Sequence, residues 1–289
     1  MRVFPPPLPH RAPLPWRAQS SPLPLFLTAR SRQPALVIPY VPHPTIEIGG
    51  HELGAFRVLV LGAVLTQFWM VVRLAPRFGV DVRRAGNLCI WAIGLGLASA
   101  HVFDVITYFP ERLAEDPLAL LRFWGSLSST GGMLGGLLGL LIVMRVQRFA
   151  PAEIWSFFDL CLYALPFTLA VGRLGCALQH DHLGRASDHL LAVAFPDGPR
   201  FDLGLLEFLA VSAISALFLA LIRRPRPPGF FVGAFFVLYG PTRFVLDALR
   251  TDDARYFGWT PAQGLMVLAM VVGVAILTRI RRSPDSTPS

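Results

Sequence analysis

The stretch GLLEFLAVSAISALFLALI, residues 204–222, decides which class of protein this is. It is apolar except for one carboxylate, Glu207, and its length is close to the ~20 residues that a helix needs to cross a bilayer. Six further apolar runs of similar length lie around it, at 55–75, 87–109, 119–144, 153–178, 229–249 and 262–280. The sequence therefore predicts an all-α polytopic membrane protein with about seven transmembrane helices.

The composition excludes a soluble domain and a nucleic-acid-binding module. Hydrophobic residues make up 54% of the 289 residues and charged residues only 15%, which is too little charge for a soluble surface. The net charge of +8 is carried by arginine, because the chain has no lysine. The arginines fall mainly between the apolar runs and form no basic stripe with interleaved aromatic residues. We therefore expect the lipid bilayer, and no nucleic acid, as a partner.

The arginines also predict how the chain is oriented in the membrane. They follow the first, third, fifth and seventh apolar runs, whereas the loops between carry nine of the 18 acidic residues. Because short cytoplasmic loops are enriched in arginine, the N-terminus is predicted outside and the C-terminus in the cytoplasm. The arginines concerned are Arg73, Arg77, Arg83, Arg84, Arg145, Arg148, Arg223, Arg224, Arg226, Arg279, Arg281 and Arg282.

The ends of the chain differ in character from the apolar runs. Residues 1–44 are rich in proline, arginine and serine, and we interpret them as a disordered leader or the product of an upstream start codon. The stretch TIEIGGHELGAF, residues 45–56, alternates around a Gly-Gly pair and predicts a small extracytoplasmic hairpin on the membrane face. The predicted membrane domain spans 45–282, and residues 283–289 form a tail.

Ionisable side chains stand at membrane depth in four places. Burying such a group costs at least about 2.5 kcal/mol, so these side chains are expected to face the bundle interior or water. Two arginines near the outer side suggest an anionic ligand, and the planar guanidinium suits the phosphate of a lipid headgroup. Structural roles stay open as well, namely a packed hydrogen-bonded pair for His101 with Asp104, pairing along one helix face, a helix-dipole contact, or an arginine that reaches up to the surface. The residues are His101 with Asp104, Arg173, Glu207, and Arg243 with Asp247.

The densest polarity lies in VGRLGCALQHDHLGR, residues 171–185. Two histidines, His180 and His182, flank Asp181 there. Histidine changes its charge near physiological pH, so either ring could act as a general acid or base, unless both are solvated loop residues.

The sequence predicts neither a metal site nor a diffusible cofactor. The histidines lack a third partner at ligand spacing. The cysteines lie far apart and fit neither a disulfide framework nor a zinc spacing. They are Cys89, Cys161 and Cys176.

Several motifs resemble signature segments of the prolipoprotein diacylglyceryl transferase family. GRLGCALQHDHLGR, residues 172–185, resembles the family's Gly-Arg-x-Gly-Asn-(x)4-Glu-x-x-Gly-Arg segment, and YGPTRFVLDALR, residues 239–250, resembles its Tyr-Gly-x-x-Arg-(x)3-Glu segment. SSTGGMLGGLLG, residues 128–139, is similar to its glycine-rich third span, and LLEFL, residues 205–209, to the end of its Gln-Leu-Tyr-Glu segment. Their order and spacing hold across residues 45–282.

The resemblance implies an activity, its substrates and its place in the cell. Enzymes of this family move a diacylglyceryl group from phosphatidylglycerol to the lipobox cysteine thiol of a preprolipoprotein, whose signal peptide is thus a partner. They do so in the bacterial cytoplasmic (inner) membrane, and glycerol phosphate leaves.

The resemblance also implies the site residues. Arg173 and Arg243 match the family's essential arginines, Asp181 and Asp247 stand where it has Glu, and Gly184 matches its Gly. The predicted catalytic residues are Arg173, Arg243, Asp181, Asp247, His180 and His182. The predicted substrate-binding residues are Arg173, Arg243, Gly184, Gly131, Gly132, Thr130, Glu207 and His101.

The chain also departs from the family's pattern. Cys176 replaces its Asn, and Thr130 is the residue nearest to its essential His. The other changes are Ala55 or Phe56 in place of a Tyr, and Phe201 and Gly204 in place of a His and a Gln. We hypothesise that His180 or His182 takes over the base role of the missing His.

Two other functions remain open at this point. A divergent paralogue could bind phospholipid headgroups and use a different acceptor, or carry out no catalysis. A small anion transporter is a third possibility, although the chain shows no clear internal repeat and its arginines are placed asymmetrically.

Overall fold

The computed structural model describes residues 37–48, 51–110, 116, 120, 128–251 and 255–282. Seven apolar α-helices lie within this part of the chain. They are α1 (Ala55–Leu74), α2 (Val82–Tyr108), α3 (Ser129–Val146), α4 (Pro151–Gln179), α5 (Leu203–Leu221), α6 (Phe230–Ala248) and α7 (Pro261–Arg282). Six are long and apolar enough to cross a membrane, and α3 is a shorter apolar helix. The prediction of an all-α polytopic membrane protein is confirmed.

Two helices begin elsewhere than the apolar runs predict. Helix α2 starts at Val82 instead of 87, because Asp81 caps it by accepting a hydrogen bond from the Arg84 amide at 2.9 Å. Helix α3 starts at Ser129 within the predicted run 119–144, and the Ser128 hydroxyl accepts from the Gly131 amide at 3.3 Å. Residues 121–127 lie outside the described part of the chain.

Glycine allows α3 to pack closely against α2. A Cβ at Gly135 would lie 2.1 Å from the Ser99 Cβ, and a Cβ at Gly131 would lie 2.4 Å from the Phe103 Cβ. No side chain fits there, which explains the glycine-rich sequence of α3. The other main helix contacts join α1 to α4, α6 to α7 and α4 to α5.

The arginine-rich loops lie at one end of the helix bundle. Arg84 pairs with Glu153 at 2.6 Å and donates to the Gln147 carbonyl at 3.2 Å. Arg77 donates to the Ile222 carbonyl at 2.6 Å. These contacts connect the loops after α1, α3 and α5, in agreement with the charge pattern. We call the opposite end the outer end, after the predicted orientation.

Short strands cover the outer end. Strands β1 (Ile38–Pro39), β4 (Leu183–Ala186), β5 (Ala192–Phe195) and β6 (Gly198–Asp202) form a sheet in the order β1-β5-β6-β4. Only the β1–β5 pair within this sheet is parallel. Strands β2 (Thr45–Ile48) and β3 (His51–Gly54) pair antiparallel, which confirms the predicted hairpin.

The predicted leader boundary at residue 44 needs correction. Strand β1 lies before that boundary and pairs with β5. His43 Nδ1 also lies 2.9 Å from the carbonyl oxygen of Leu178 in α4. The folded body therefore extends before residue 44, because Ile38 and Pro39 pair in the outer sheet and His43 contacts α4. Residues 1–36 and 283–289 lie outside the described part of the chain.

Candidate active site

Glu207 is the centre of a buried ion cluster at the outer end. Its residue is 0% exposed, and its carboxylate has three partners on two other helices. Oε1 accepts from the Tyr239 hydroxyl at 2.5 Å and forms an ion pair with Arg173, whose Nε lies 3.1 Å away. Oε2 accepts from Arg243 Nη1 at 3.1 Å. We call Arg173, Glu207, Tyr239 and Arg243 the arginine cluster.

The start of α5 explains why Glu207 is buried. Asp202 caps this helix, since its Oδ1 accepts from the Leu205 amide at 3.1 Å. Glu207 then falls on the same buried face as Leu203 and Val211, at helical spacing. A lone carboxylate on such a face would be costly to bury, and two guanidinium groups offset that cost.

Asp247 connects the arginine cluster to the start of α7. It is 0% exposed, and its Oδ1 lies 3.5 Å from Arg243 Nη2 and 3.8 Å from Arg250 Nε. Its Oδ2 accepts from the Thr260 hydroxyl. Thr260 and Gln263 in turn form a capping box, with side chain to amide distances of 3.0 and 3.1 Å. Asp247 thus pairs with Arg243 along one face of α6. Because Asp247 is itself held by Thr260, it also holds Arg243 in place.

The two guanidinium groups of the arginine cluster are only partly covered. Arg173, Arg243 and Arg250 face two carboxylates, those of Glu207 and Asp247. The side chains of Arg173 and Arg243 keep 19% and 16% of their surface exposed. Arg173 pairs with Glu207 and does not simply reach to the surface. Both guanidinium groups therefore keep exposed surface that an anion can contact.

His180 ends α4 and is held on both sides of its ring. Its backbone is left-handed, with φ 53°, and its amide donates to the Cys176 carbonyl at 2.8 Å. Ring Nδ1 lies 2.5 Å from Asp202 Oδ2, and Nε2 lies 2.9 Å from the Val41 carbonyl oxygen. The ring also stacks on Tyr40. Neither nitrogen is left to act as a base, so this geometry opposes the catalytic role predicted for His180.

The turn at His180 brings three reactive side chains together. It directs Asp181 and His182 back over the last turn of α4, where Cys176 lies. The Cys176 sulfur, an Asp181 oxygen and a His182 ring nitrogen all lie within 4.8 Å of one another. We call these three residues the thiol cluster. Arg173 Nη1 donates to Cys176 Sγ at 3.7 Å and so connects the thiol cluster to the arginine cluster.

Gly204 lets α5 contact α4 beside Cys176. A Cβ at this position would lie 2.9 Å from the Ala177 nitrogen and 3.0 Å from the Cys176 Cβ. The Gln that the resemblance places here therefore does not fit this backbone. Gly204 and Cys176 lie in contact with each other. Both are small residues, and both depart from the family's pattern.

The structure gives packing contacts to the glycines that the sequence predicts to bind substrate. A Cβ at Gly184 would lie 3.0 Å from Leu203 Cδ2, and the Gly184 backbone pairs with that of Arg250. Gly131 and Gly132 contact α2. Their substrate-binding role stays a prediction.

The other two predicted substrate-binding residues lie on α2 and α3. His101 is 3% exposed within α2, which packs mainly against α3, whereas the two arginines lie on α4 and α6. Thr130 belongs to the first turn of α3, and its side chain lies outside the described part of the structure.

Tyr239, Thr260 and Cys176 were not among the site residues predicted from the sequence. Tyr239 lies one helical turn before Arg243, within a motif that the resemblance identifies. Thr260 begins TPAQ, residues 260–263, which has the spacing of a capping box. That pattern predicts the helix start, but not the contact with Asp247.

Comparison with known proteins gives consistent matches. The family model described as prolipoprotein diacylglyceryl transferase matches residues 44–279. A protein of Chromohalobacter salexigens named phosphatidylglycerol–prolipoprotein diacylglyceryl transferase is 31% identical over 258 residues, or 84% of this chain and 95% of that protein. The protein of that name from Pasteurella multocida is 34% identical over 245 residues, or 80% and 89% of the two chains. The one from Mannheimia succiniciproducens is 29% identical over 229 residues, or 75% and 84%.

Proposed function

Because the chain belongs to the prolipoprotein diacylglyceryl transferase family, we propose that it moves a diacylglyceryl group from phosphatidylglycerol to the lipobox cysteine thiol of a preprolipoprotein. A carbon–sulfur bond forms and the bond between the glycerol carbon and the phosphate oxygen breaks. Glycerol phosphate leaves with the electron pair, and the thiol loses its proton. The reaction takes place in the bacterial cytoplasmic membrane, at the outer end of the helix bundle.

The observation that carries this proposal is the sharing of Glu207 by Arg173 and Arg243. The Glu207 carboxylate contacts Nε of Arg173 and Nη1 of Arg243. Each guanidinium has five N–H donors, so further donors remain for a phosphate. Two fixed guanidinium groups in a mostly buried site stabilise the charge that develops on the leaving phosphate oxygen.

Tyr239 and Asp247 position these arginines. Tyr239 donates to Glu207, which fixes the carboxylate that both arginines share. Asp247, held by Thr260, contacts Arg243 from the other side. Because the donors are held before the lipid arrives, little reorganisation is needed when the phosphate departs.

The thiol cluster adjoins the place where the phosphate is held. Cys176 Sγ lies 3.7 Å from Arg173 Nη1. An acceptor thiol beside Cys176 would therefore lie close to the glycerol carbon of a lipid whose phosphate is bound by Arg173. Activation of that thiol falls to the thiol cluster. His182, not His180, is the histidine of this segment that contacts Asp181, with Nδ1 3.5 Å from Asp181 Oδ1.

One alternative is a phospholipid-binding paralogue with another acceptor or no transfer. The observation in its favour is Cys176, which stands inside the site where the resemblance has Asn. In this alternative Arg173 and Arg243 still bind the lipid phosphate, but no thioether product forms.

The test is transfer by the full-length chain in phosphatidylglycerol vesicles, with a lipobox peptide as acceptor. We expect mass spectrometry to show diacylglyceryl on the peptide cysteine, together with released glycerol phosphate. Arg173→Ala and Arg243→Ala should each lower the rate by about 10²–10³, the typical effect of removing one charge-stabilising group. Arg223→Ala, at the opposite end of the bundle, should leave it unchanged.

Complementation distinguishes the alternative in a living cell. We expect the full chain to restore lipoprotein modification in a bacterium depleted of its own transferase. Folded protein that binds phosphatidylglycerol yet yields neither thioether nor glycerol phosphate would replace the proposal by the paralogue.

A further inference from the structure

The thiol cluster has the composition of a metal site. Cys176, Asp181 and His182 offer a thiolate, a carboxylate and an imidazole, with their ligand atoms within 4.8 Å of one another. We propose that this cluster binds a divalent cation of the zinc type, which holds the acceptor thiol as a thiolate. The inference rests on the proposed function, since the acceptor thiol belongs to it, and it differs from the sequence-based prediction of no metal.

The donor set selects the class of cation. Thiolate and imidazole ligands favour zinc and its neighbours over magnesium and calcium, which prefer oxygen. Bonds of about 2.0–2.3 Å in a tetrahedral site put ligand atoms roughly 3.5 Å apart, so modest side-chain rotation closes the observed spacing. Three protein ligands leave a fourth position open, as in catalytic zinc sites.

The backbone holds the three ligands in place. Cys176 lies in the last turn of α4, against which Gly204 packs. Asp181 and His182 follow His180, whose ring contacts Asp202 and Val41. The donors therefore come from two rigid neighbours, a helix end and a fixed turn, and not from a long loop.

Charge and access also fit a divalent cation. The Cys176 thiolate and the Asp181 carboxylate would neutralise its two positive charges. Arg173 donates to Cys176 Sγ, and its own charge is paired with Glu207. The side chains of Asp181 and His182 are 34% and 27% exposed, which leaves an approach for a fourth ligand.

The cation would take over the activation of the acceptor thiol. Coordination through sulfur releases the thiol proton to water, because a metal-bound thiol is deprotonated. The thiolate then attacks the glycerol carbon, the carbon–oxygen bond breaks, and glycerol phosphate leaves toward Arg173 and Arg243. The thioether product has no charge and is a weaker ligand, so it dissociates. This route requires no base at Thr130, where the resemblance has its essential His.

The first test is binding of Co²⁺ to the full-length chain in detergent. We expect a thiolate-to-cobalt charge-transfer band that Zn²⁺ displaces. Cys176→Asn should abolish this band, and Asp181→Asn and His182→Asn should weaken Co²⁺ binding at least about tenfold. The matched controls Cys89→Ser, Cys161→Ser and His189→Ala should keep both the band and the affinity.

The second test is transfer before and after removal of metal. We expect the chelator-treated chain to lose transfer to the lipobox peptide, and added Zn²⁺ to restore it. A missing band, or a band that persists in Cys176→Asn, would overturn the inference. Full transfer by the metal-stripped chain would also overturn the inference. If that transfer still required Arg173, the proposed function would hold without the metal site. A chain that binds Co²⁺ through Cys176 but transfers nothing with Zn²⁺ present would instead refute the proposed function.

Discussion

The Tyr239 hydroxyl donates to the Glu207 carboxylate across 2.5 Å and thereby joins α6 to α5 within the arginine cluster. The Tyr239 ring stacks on that of Phe235, with centroids 5.0 Å apart, so the hydroxyl has little freedom to move away. Glu207 is consequently held by a neutral hydroxyl and by two guanidinium groups. The carboxylate serves as the common support of the two arginines that we expect to bind phosphate.

Removal of the Tyr239 hydroxyl should weaken this support without changing its charge. In Tyr239→Phe the buried Glu207 oxygen loses one donor, which costs about 1–3 kcal/mol of unfolding free energy. We expect a lower thermal midpoint and slower transfer, with Arg173 and Arg243 still present to bind lipid. Phosphatidylglycerol binding measured beside the transfer rate checks this, and an unchanged rate would deny Tyr239 a positioning role.

Neutralising Glu207 should have a larger effect. Glu207→Gln leaves Arg173 and Arg243 facing each other without their shared counter-charge, and breaking a buried pair typically costs about 3–5 kcal/mol. Glu153→Gln is the matched control, because its pair with Arg84 is 38% and 39% exposed. An exposed pair contributes about 0–1 kcal/mol. Denaturation in detergent measures the unfolding free energy that each variant loses. Equal losses in the two variants would contradict the central role of Glu207 in the arginine cluster.

A side chain at position 204 should separate α5 from α4. In Gly204→Ala the added Cβ would lie 2.9 Å from backbone atoms of Cys176 and Ala177, and overpacking of this kind costs about 1–3 kcal/mol. Gly94→Ala is the control, since a Cβ there meets nothing within 4 Å. That control should be neutral or stabilising, because alanine favours helix over glycine. Thermal unfolding of the two variants in parallel decides whether the contact is as tight as the distances indicate.

His180 should contribute to stability more than to chemistry. His180→Ala leaves the buried Asp202 oxygen and the Val41 carbonyl without their ring partner, at a cost of about 1–3 kcal/mol. The exposed His189 provides the comparison, and His189→Ala should change stability by less than about 0.5 kcal/mol. If His180→Ala unfolded like the parent chain yet transferred nothing, the catalytic role predicted from the sequence would be restored.

The class of the fold and the character of its two ends follow from the amino-acid sequence alone. Apolar length, glycine at helix contacts, and arginine in alternate loops are local properties, so seven helices, a hairpin and the arginine-rich end follow from them. The motifs also indicated Arg173, Arg243 and Asp247, because each lies within one short segment. They did not indicate Tyr239 or Thr260 as contacts of those residues.

Which side chains contact one another depends on how the helices pack. Glu207 contacts Arg173 and Arg243 because α4, α5 and α6 are neighbours and are rotated so that these residues face one another. Apolar runs do not encode that rotation. Likewise, the left-handed backbone of His180 and the close approach at Gly204 assemble Cys176, Asp181 and His182, although their sequence spacing predicts no ligand set. Contacts between elements depend on packing geometry, whereas hydrophobic length and charge pattern can be read along a single chain.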